Sequence, residues 1–497
     1  MAESVNVPVT SVLSRQRRLV RAWPRWSLTT AERRFLLVFV DLLLVNLSLL
    51  LAVTIWNDFI PSASRIWAHA KWFLTLSAVW LGFGTVFDIY NLARSASTTS
   101  ILANVGLTTL LAGLLYLFIP WLTPPMQSRS YAYGFLLISA VTTLGWRLLY
   151  AQALSQPAYW QWALILGTGE AARTLLRALQ QASQSQKANP FRGTGYHVVG
   201  LVSETASDVA TSGEDKDVPV LGDGRQLASL ARQYDIHEII VALDDRSGLD
   251  PRIYEALLDC RESGLRVTSF AEVYERLTAR LPVSYDRQDL EVLFGPKDTA
   301  SARLYISLKR LIDFVLALVG LALLGLVTPW VALGNLIWSP GPLFYRQQRV
   351  GKGGKPFVLI KFRTMIPDAE KDTGIVWSSE HDPRITPVGR ILRKTRLDEL
   401  PQFINVLRGE MSLIGPRPER PHFVGQLDRE LPLYRARHAV KPGITGWAQV
   451  QYRYANSVED SRIKLEYDLY YVKHAGLYLD LLIALQTIRV ILQLKGT

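Results

Sequence analysis

The stretch LIDFVLALVGLALLGLVTPWVALGNLIW, residues 311–338, sets the architecture of this chain. Its only charged residue is Asp313, and it is long enough to cross a bilayer with tilt. Two features oppose a simple crossing. Pro329 sits deep inside the run, where a ring without an N–H breaks or kinks a helix. Both flanks are basic: Lys309 and Arg310 precede it, and Arg346, Arg349, Lys352, Lys355, Lys361 and Arg363 follow it. Positive charge favours the cytoplasmic side, so both ends belong to one face. The expectation is a re-entrant helix over 308–338 that bends at Thr328-Pro329 and returns to the side it left. Serine, threonine or neighbouring helices would satisfy the freed backbone groups.

Toward the N-terminus lie four more apolar runs: Phe35–Trp56, Trp72–Val86, Ile101–Leu122 and Tyr131–Leu154. Each approaches the roughly 20 residues that span a bilayer as a helix. Trp56, Trp72, Trp121 and Tyr131 stand near their ends, as an aromatic belt would. Arg15, Arg17, Arg18, Arg21, Arg25, Arg33 and Arg34 precede the first run, and the loop after it carries only Arg65 and Lys71. This asymmetry predicts a cytoplasmic tail over 1–34, four transmembrane helices over 35–155, and a return to the cytoplasm. Asp41 falls inside the first span. An intramembrane acid is a functional candidate, but its place near the cytoplasmic end favours an interfacial position or a pairing with Arg33 or Arg34.

The whole chain has 497 residues, 49% of them hydrophobic, which excludes a disordered protein. A single cysteine, Cys260, excludes an internal disulfide framework and a multi-cysteine zinc site. The net charge of +12 calls for anionic partners. Headgroups of membrane lipids, phosphorylated substrates and nucleic acid all answer that charge, and no nucleic-acid partner is expected.

After Trp160 the pattern alternates between short apolar strands (161–166, 197–203, 218–222, 238–243, 266–270) and helical stretches such as Gly224–Tyr234 and Pro251–Ser263. This predicts a Rossmann-like α/β domain over 160–290 with a parallel, doubly wound sheet. Gly167, Gly169 and Ala172 read as G-x-G-x-x-A at a strand end that opens a helix, a turn able to cradle a pyrophosphate on backbone N–H groups. Against this, an inserted Gln/Ser-rich loop delays the second strand, and Glu204 is too far on to serve as the ribose acid. No Tyr-x-x-x-Lys pair follows. Either the turn binds a nucleotide or it is kept for packing in a module that serves assembly.

The densest chemistry follows residue 340. Lys361 and Arg363 end a strand-like core, and Arg390, Arg393, Lys394 and Arg396 lead to Asp398 and Glu399. Leu397, Leu400, Phe403, Ile404 and Leu407 form a helical stripe, and Pro401 is tolerated only in a first turn. The two acids therefore fall at a helix N-terminus ringed by cations. Such a layout handles phosphate: cations neutralise its oxygens, carboxylates can hold a metal, and a carboxylate can attack phosphorus. Ordinary first-turn acids that favour the helix dipole are the simpler explanation.

KFRTM at 361–365, LDELPQFINVLRGEMSLIGPRPE at 397–419, PGITGWAQV at 442–450 and YDLYYV at 467–472 carry a resemblance. Over about 303–497 the chain resembles the bacterial sugar transferases, the monotopic polyprenyl-phosphate glycosyl-1-phosphate transferases. The four runs and the α/β segment make it similar to the long form, which initiates capsule, exopolysaccharide or O-antigen synthesis. The resemblance implies transfer of a hexose-1-phosphate from a UDP-sugar, of glucose or galactose before an N-acetylated sugar, to undecaprenyl phosphate, releasing UMP. It implies Mg2+, Asp398 as the nucleophile on the β-phosphorus, and Glu399 as metal or positioning partner. It also implies the re-entrant helix, here broken at Thr328-Pro329 where the family has Ser-Pro. On the same footing Arg417, Lys361, Arg363 and Arg396 would hold phosphate, Asp468 would join the metal or ribose environment, and Trp447 or Gln449 would meet the uridine. Trp447 as a core aromatic is the competing assignment. The expected fold is thus a four-helix transmembrane bundle, a Rossmann-like domain, and a mostly helical catalytic domain over 303–497. A homodimer through the middle domains and a bacterial inner-membrane location with cytoplasmic catalysis complete the expectation. The competing functions are a nucleotide-dependent oxidoreductase or epimerase centred on Gly167 and Gly169, and a non-catalytic assembly scaffold.

Overall fold

The structure is a computed structural model that describes residues 30–57, 59–87, 89–90, 101–119, 121–125, 129–153, 161–183, 196–204, 218–244, 250–283, 300–367, 369, 382–431, 433–452 and 457–492. Arg15, Arg17, Arg18, Arg21 and Arg25 of the orientation argument lie outside them. The chain divides into two units, Met1–Thr278 and Ala279–Thr497.

In the first unit, helices α1 (Thr30–Trp56), α2 (Ala70–Val86), α3 (Gly106–Leu117, led in by a π-helical turn at Ile101–Val105) and α4 (Arg129–Ala153) pack on a common core. Leu49, Trp72, Leu76, Trp80, Ala112, Tyr116 and Phe135 are buried there. Phe35, Phe39, Leu43, Leu47, Leu51 and Ile55 form an exposed apolar stripe at every fourth residue of α1, so the surface that faces away from the bundle is apolar too. The α1 segment Glu32–Trp56 and the α4 segment Ser130–Gln152 are long and apolar enough to cross a membrane, whereas Ile101–Leu117 is a shorter apolar helix.

Asp41 is fully buried and takes Arg147 of α4, whose Nε donates to Oδ1 at 3.1 Å, while the same guanidinium donates to the Ile89 carbonyl at 2.8 Å. The pairing expected with Arg33 or Arg34 is corrected: a partner 106 residues away in sequence is nearer in space.

The rest of this unit is a five-stranded parallel sheet in the order β3-β2-β1-β4-β5: β1 Gln161–Leu166, β2 Tyr196–Ser203, β3 Val220–Asp223, β4 Glu238–Val241 and β5 Arg266–Ser269. Helix α5 (Glu170–Ser183) follows β1, α6 (Leu227–Tyr234) follows β3, α7 (Pro251–Glu262) follows β4, and α8 (Phe270–Thr278) follows β5. The central β1 is buried on both faces, which explains why it reads as a continuous apolar run.

The second unit is organised around α9, Ala300–Trp338. The helix runs on through Thr328 and Pro329, so the expected break does not appear as an interruption of the helix. Pro329 leaves the Gly325 carbonyl without its usual N–H, and Thr328 Oγ1 donates to the Leu324 carbonyl at 2.6 Å beside it. Along its length α9 lies on the same unit. Arg310 donates to the carbonyls of Val406 and Leu407 at 2.7 and 2.8 Å. Asp313 accepts from Ser412 Oγ and Leu413 N at 3.1 and 2.9 Å. Gly320 is covered by the Phe403 ring, and Leu324 and Val331 pack with Leu392 and Leu400. The other side of α9 exposes Phe314, Leu318, Leu326, Trp330 and Leu333.

Around α9 are the antiparallel pair β6 (Phe344–Val350) and β7 (Pro356–Phe362), α10 (Pro387–Thr395), α11 (Gln402–Arg408), β8 (Ser412–Ile414), α12 (Pro421–Glu430), β9 (Gly443–Thr445), α13 (Trp447–Gln451), α14 (Val458–His474) and α15 (Leu477–Leu492). β8 and β9 pair in parallel.

Candidate active site

Asp398 and Glu399 lie on a single 3-10 turn, Leu397–Glu399, that leads into the N-terminus of α11, so the helix starts a few residues later than the stripe predicts. Pro401 caps α11, which moves the helix start past the acids. The turn is sharp because Arg396 adopts φ 60°, ψ 13°, closing α10 and opening the 3-10 turn at once. A left-handed non-glycine residue costs roughly 1–2 kcal/mol, which the surrounding packing holds in place.

Strand β7 supplies Lys361. It is docked by Asn405 of α11, which is fully buried and behaves like a missing strand neighbour. Its Oδ1 accepts from Ile360 N at 3.2 Å, and its Nδ2 donates to the carbonyl of Val358 at 2.7 Å and to Glu410 at 2.7 Å. This bridge sets the helix of the dyad against the strand of Lys361. Arg417 comes from the Gly415–Glu419 turn after β8.

The two acids differ. Arg417 Nη2 donates to Glu399 Oε1 at 3.1 Å, and Arg396 stands 3.6 Å from the same oxygen. Burial raises the Glu399 carboxyl, but Arg417, Lys361 and Arg396 together outweigh it and hold it well below the usual carboxylate range. Asp398, also buried, has no hydrogen bond or ion pair to any described residue. Burial and the adjacent Glu399 raise it, against Lys361, Arg417 and Arg393. Lys361 is pulled down to about 8, chiefly by burial and by Arg417, against the two acids. A pinned, ionised carboxylate thus stands beside a more basic one, with four cations, Lys361, Arg393, Arg396 and Arg417, around them. Arg393, on α10, belongs to the cation run ahead of the dyad but carried no assigned role in the sequence; its Nε donates to Thr364 Oγ1 at 3.1 Å.

Lys361, Arg396 and Arg417 are therefore brought to the dyad, and four other expected residues are not. Arg363 caps α9: its guanidinium donates to the Pro342 carbonyl at 2.7 Å, to Ser339 and to Asn335. β7 ends at Phe362, so the strand alternation that would have put Arg363 on the face of Lys361 stops one residue short. Asp468 accepts from Arg437 through Oδ2, at 3.1 and 2.7 Å. Trp447 is buried, donates to the Ala279 carbonyl at 2.9 Å and stacks on Tyr470, which is the core assignment. Gln449 donates to the Ile444 carbonyl at 3.1 Å.

The glycine turn of the first unit forms where expected, between β1 and α5. Gly167 has φ 122° and lies so close to the Ala242 carbonyl that a Cβ would come within 2.1 Å. The α5 N-terminus, however, is already filled. The Asp244 carboxylate accepts from Glu170 N at 2.7 Å and Ala171 N at 2.8 Å, and presses on Gly169 where a pyrophosphate would lie. Ala172 is buried in the sheet–helix core. The three residues shape the turn, but its donors serve an internal anion.

Buried carboxylates, one pinned and one free, among Lys361, Arg393 and Arg417 define a site built for phosphate groups. Residues 304–494 match the bacterial sugar transferase profile, and residues 85–269 match a profile described as a CoA-binding domain. The chain is 42% identical over 238 residues to the UDP-N-acetylgalactosamine-undecaprenyl-phosphate N-acetylgalactosaminephosphotransferase of Aeromonas hydrophila, covering 48% of this chain and 54% of that one. It is 34% identical over 320 residues to the UDP-glucose:undecaprenyl-phosphate glucose-1-phosphate transferase of Escherichia coli K12, covering 63% and 65%. It is 49% identical over 136 residues to a putative undecaprenyl-phosphate N-acetylgalactosaminyl 1-phosphate transferase of Bacillus subtilis, covering 27% and 74%. The chain thus spans about half of the length of the first of these and about two thirds of the second. It belongs to the bacterial sugar transferase family. The CoA implied by the second profile does not fit the glycine turn, where Asp244 occupies the donors.

Proposed function

We propose that this chain is a membrane phosphotransferase that moves a hexose-1-phosphate from a UDP-sugar to undecaprenyl phosphate, releasing UMP. The observation that carries this is the unpartnered Asp398 carboxylate, buried beside a Glu399 that Arg417 pins. In the reaction an Asp398 oxygen attacks the β-phosphorus of the donor. The bond from that phosphorus to the oxygen bridging to the α-phosphate breaks, and UMP leaves as a phosphate anion that needs no proton. The phosphosugar rests on Asp398 as an acyl phosphate until an oxygen of the lipid phosphate attacks the same phosphorus and expels the carboxylate. Lys361, Arg393 and Arg417 offset the charge that builds on the phosphoryl oxygens. Their surplus of positive charge also favours a dianionic donor over water-borne neutral sugars.

Mg2+ fits this donor set. Asp398 and Glu399 Oε2 make no hydrogen bond to described residues, and Mg2+ takes one or two carboxylates together with substrate phosphates. Among the described residues no group of three or more His, Cys, Asp or Glu gathers in one place, so the substrate phosphates would have to complete the ligand set. The ion would supply charge neutralisation at the diphosphate.

The membrane reading is supported by α9. Contacts from Arg310 to Asn335 tie the helix to one and the same unit. A crossing helix would carry one end of that stretch, roughly 39 Å long at 1.5 Å per residue, away from the unit. A helix that lies along its own unit, with Phe314, Leu318, Leu326 and Trp330 toward lipid, keeps both ends on the cytoplasmic face. There the lipid phosphate meets a cytoplasmic nucleotide sugar. Four crossings of the first unit, a homodimer and an inner-membrane location belong to the same proposal. The donor is UDP-glucose or UDP-galactose, with UDP-N-acetylgalactosamine as the alternative that two of the relatives' names raise.

The test is UMP release by the purified chain from a panel of UDP-sugars with undecaprenyl phosphate and Mg2+. Release from one donor, lost with EDTA and reduced at least a thousandfold in Asp398→Asn, is expected, because a nucleophile is removed outright. No release from any donor by folded protein overturns the proposal.

A further inference from the structure

Arg417 stands between two prolines, in Gly415-Pro416-Arg417-Pro418-Glu419. Neither proline has an N–H, and both have fixed φ. Such a turn can be anchored from outside chiefly through its carbonyls. Guanidinium groups do this at two successive residues. Arg437 Nη2 donates to the Arg417 carbonyl at 2.8 Å, and Arg349 Nη1 donates to the Pro418 carbonyl at 3.1 Å. Arg437 is itself held rigidly. Its Nε and Nη2 both reach Asp468 Oδ2, at 3.1 and 2.7 Å, its Nη1 donates to Tyr434 OH at 2.8 Å, and all three side chains are buried. The chain of contacts runs from Asp468 through Arg437 to the backbone of Arg417, and from the Arg417 guanidinium to Glu399 at 3.1 Å.

We infer that Arg437, oriented by Asp468 and Tyr434, is a positioning residue that fixes the Arg417 guanidinium against Glu399 and the phosphate groups of the substrate. The inference rests on the transfer reaction proposed above for its kinetic consequences, and on the structure alone for its mechanical ones. Among the described residues Asp468 and Arg437 make no contact with either dyad carboxylate, and the contact that links them to the dyad runs through Arg417. Outer residues that orient a charged group typically change activity by roughly 10–100-fold.

The experiment combines two readouts on the full chain in lipid nanodiscs. In kinetics, Asp468→Asn and Arg437→Lys are each expected to lower kcat for UMP release at least tenfold with KM changed less than threefold. In an Arg417→Ala background, Asp468→Asn is expected to cost less than twofold more, because its route of action is gone. In hydrogen exchange, Asp468→Asn is expected to speed exchange of peptides covering 412–420 severalfold, while peptides in β1 and β2 of the other unit are unchanged. Additive kinetic losses in the Arg417→Ala background, or unchanged exchange over 412–420, overturn the inference. If the parent chain transfers no sugar phosphate, the transfer reading fails by itself, and the exchange result still decides whether the clamp exists.

Discussion

Asn405 is where single-residue chemistry does most for the site. Its side chain satisfies two backbone groups of β7 and bonds Glu410. Asn405→Ala leaves those groups buried without partners, a loss on the order of 3 kcal/mol. The expected outcome is a clear fall in the thermal unfolding temperature together with lost transfer; an unchanged unfolding temperature would show that the bridge is dispensable. His438 provides a pH prediction. Burial, then Arg437 and Arg435, pulls its imidazole down from 6.5 to about 4. Between those values the unfolded chain binds a proton that the fold refuses, so this contribution to stability is complete above about pH 6.5 and is lost as pH falls toward 4. His438→Gln should flatten the pH dependence of unfolding in that window; an identical profile in the variant would assign the acid sensitivity elsewhere.

At the scale of elements, two helix termini show how an internal group can take a role that the sequence leaves open. The α5 N-terminus has the glycines of an anion cradle, and Asp244 fills it. The wild-type chain should therefore take up no CoA at this turn by calorimetry. Asp244→Ala should lose about 1 kcal/mol of capping and gain measurable affinity for inorganic phosphate. Binding of CoA to the parent chain that Asp244→Ala does not alter would place that ligand elsewhere. The α9 C-terminus likewise uses Arg363, whose donors go to Pro342, Ser339 and Asn335. Motif spacing identifies both segments correctly, but which side chain ends up on which helix end depends on where the strand stops and which loop returns.

For the whole molecule the decisive question is the path of α9 relative to the bilayer. Ser307→Cys and Lys352→Cys flank its apolar stretch, and the native Cys260 is buried, which keeps background labelling low. Both engineered thiols should react with a membrane-impermeant maleimide only from the cytoplasmic side of oriented vesicles. Reaction of the two from opposite sides would make α9 a conventional crossing. The strand–helix alternation of the middle segment, the apolar helices and the Asp398-Glu399 pair were all legible, because periodicity and local motif chemistry are properties of adjacent residues. The partnerships of Asp41 with Arg147 and of Asp468 with Arg437 were not, because each joins positions far apart in sequence.

By itself, then, the sequence determined the order of the apolar, α/β and transferase segments, and the carboxylates and cations that the proposed chemistry calls on. Hydrophobic period and side-chain type are written locally along the chain. Only the tertiary structure decided which charges remain free. A buried carboxylate is costly without a partner, and the fold gave Glu399 to Arg417, Asp468 to Arg437 and Asp244 to the α5 N–H groups, while Asp398 has no hydrogen bond or ion pair among the described residues.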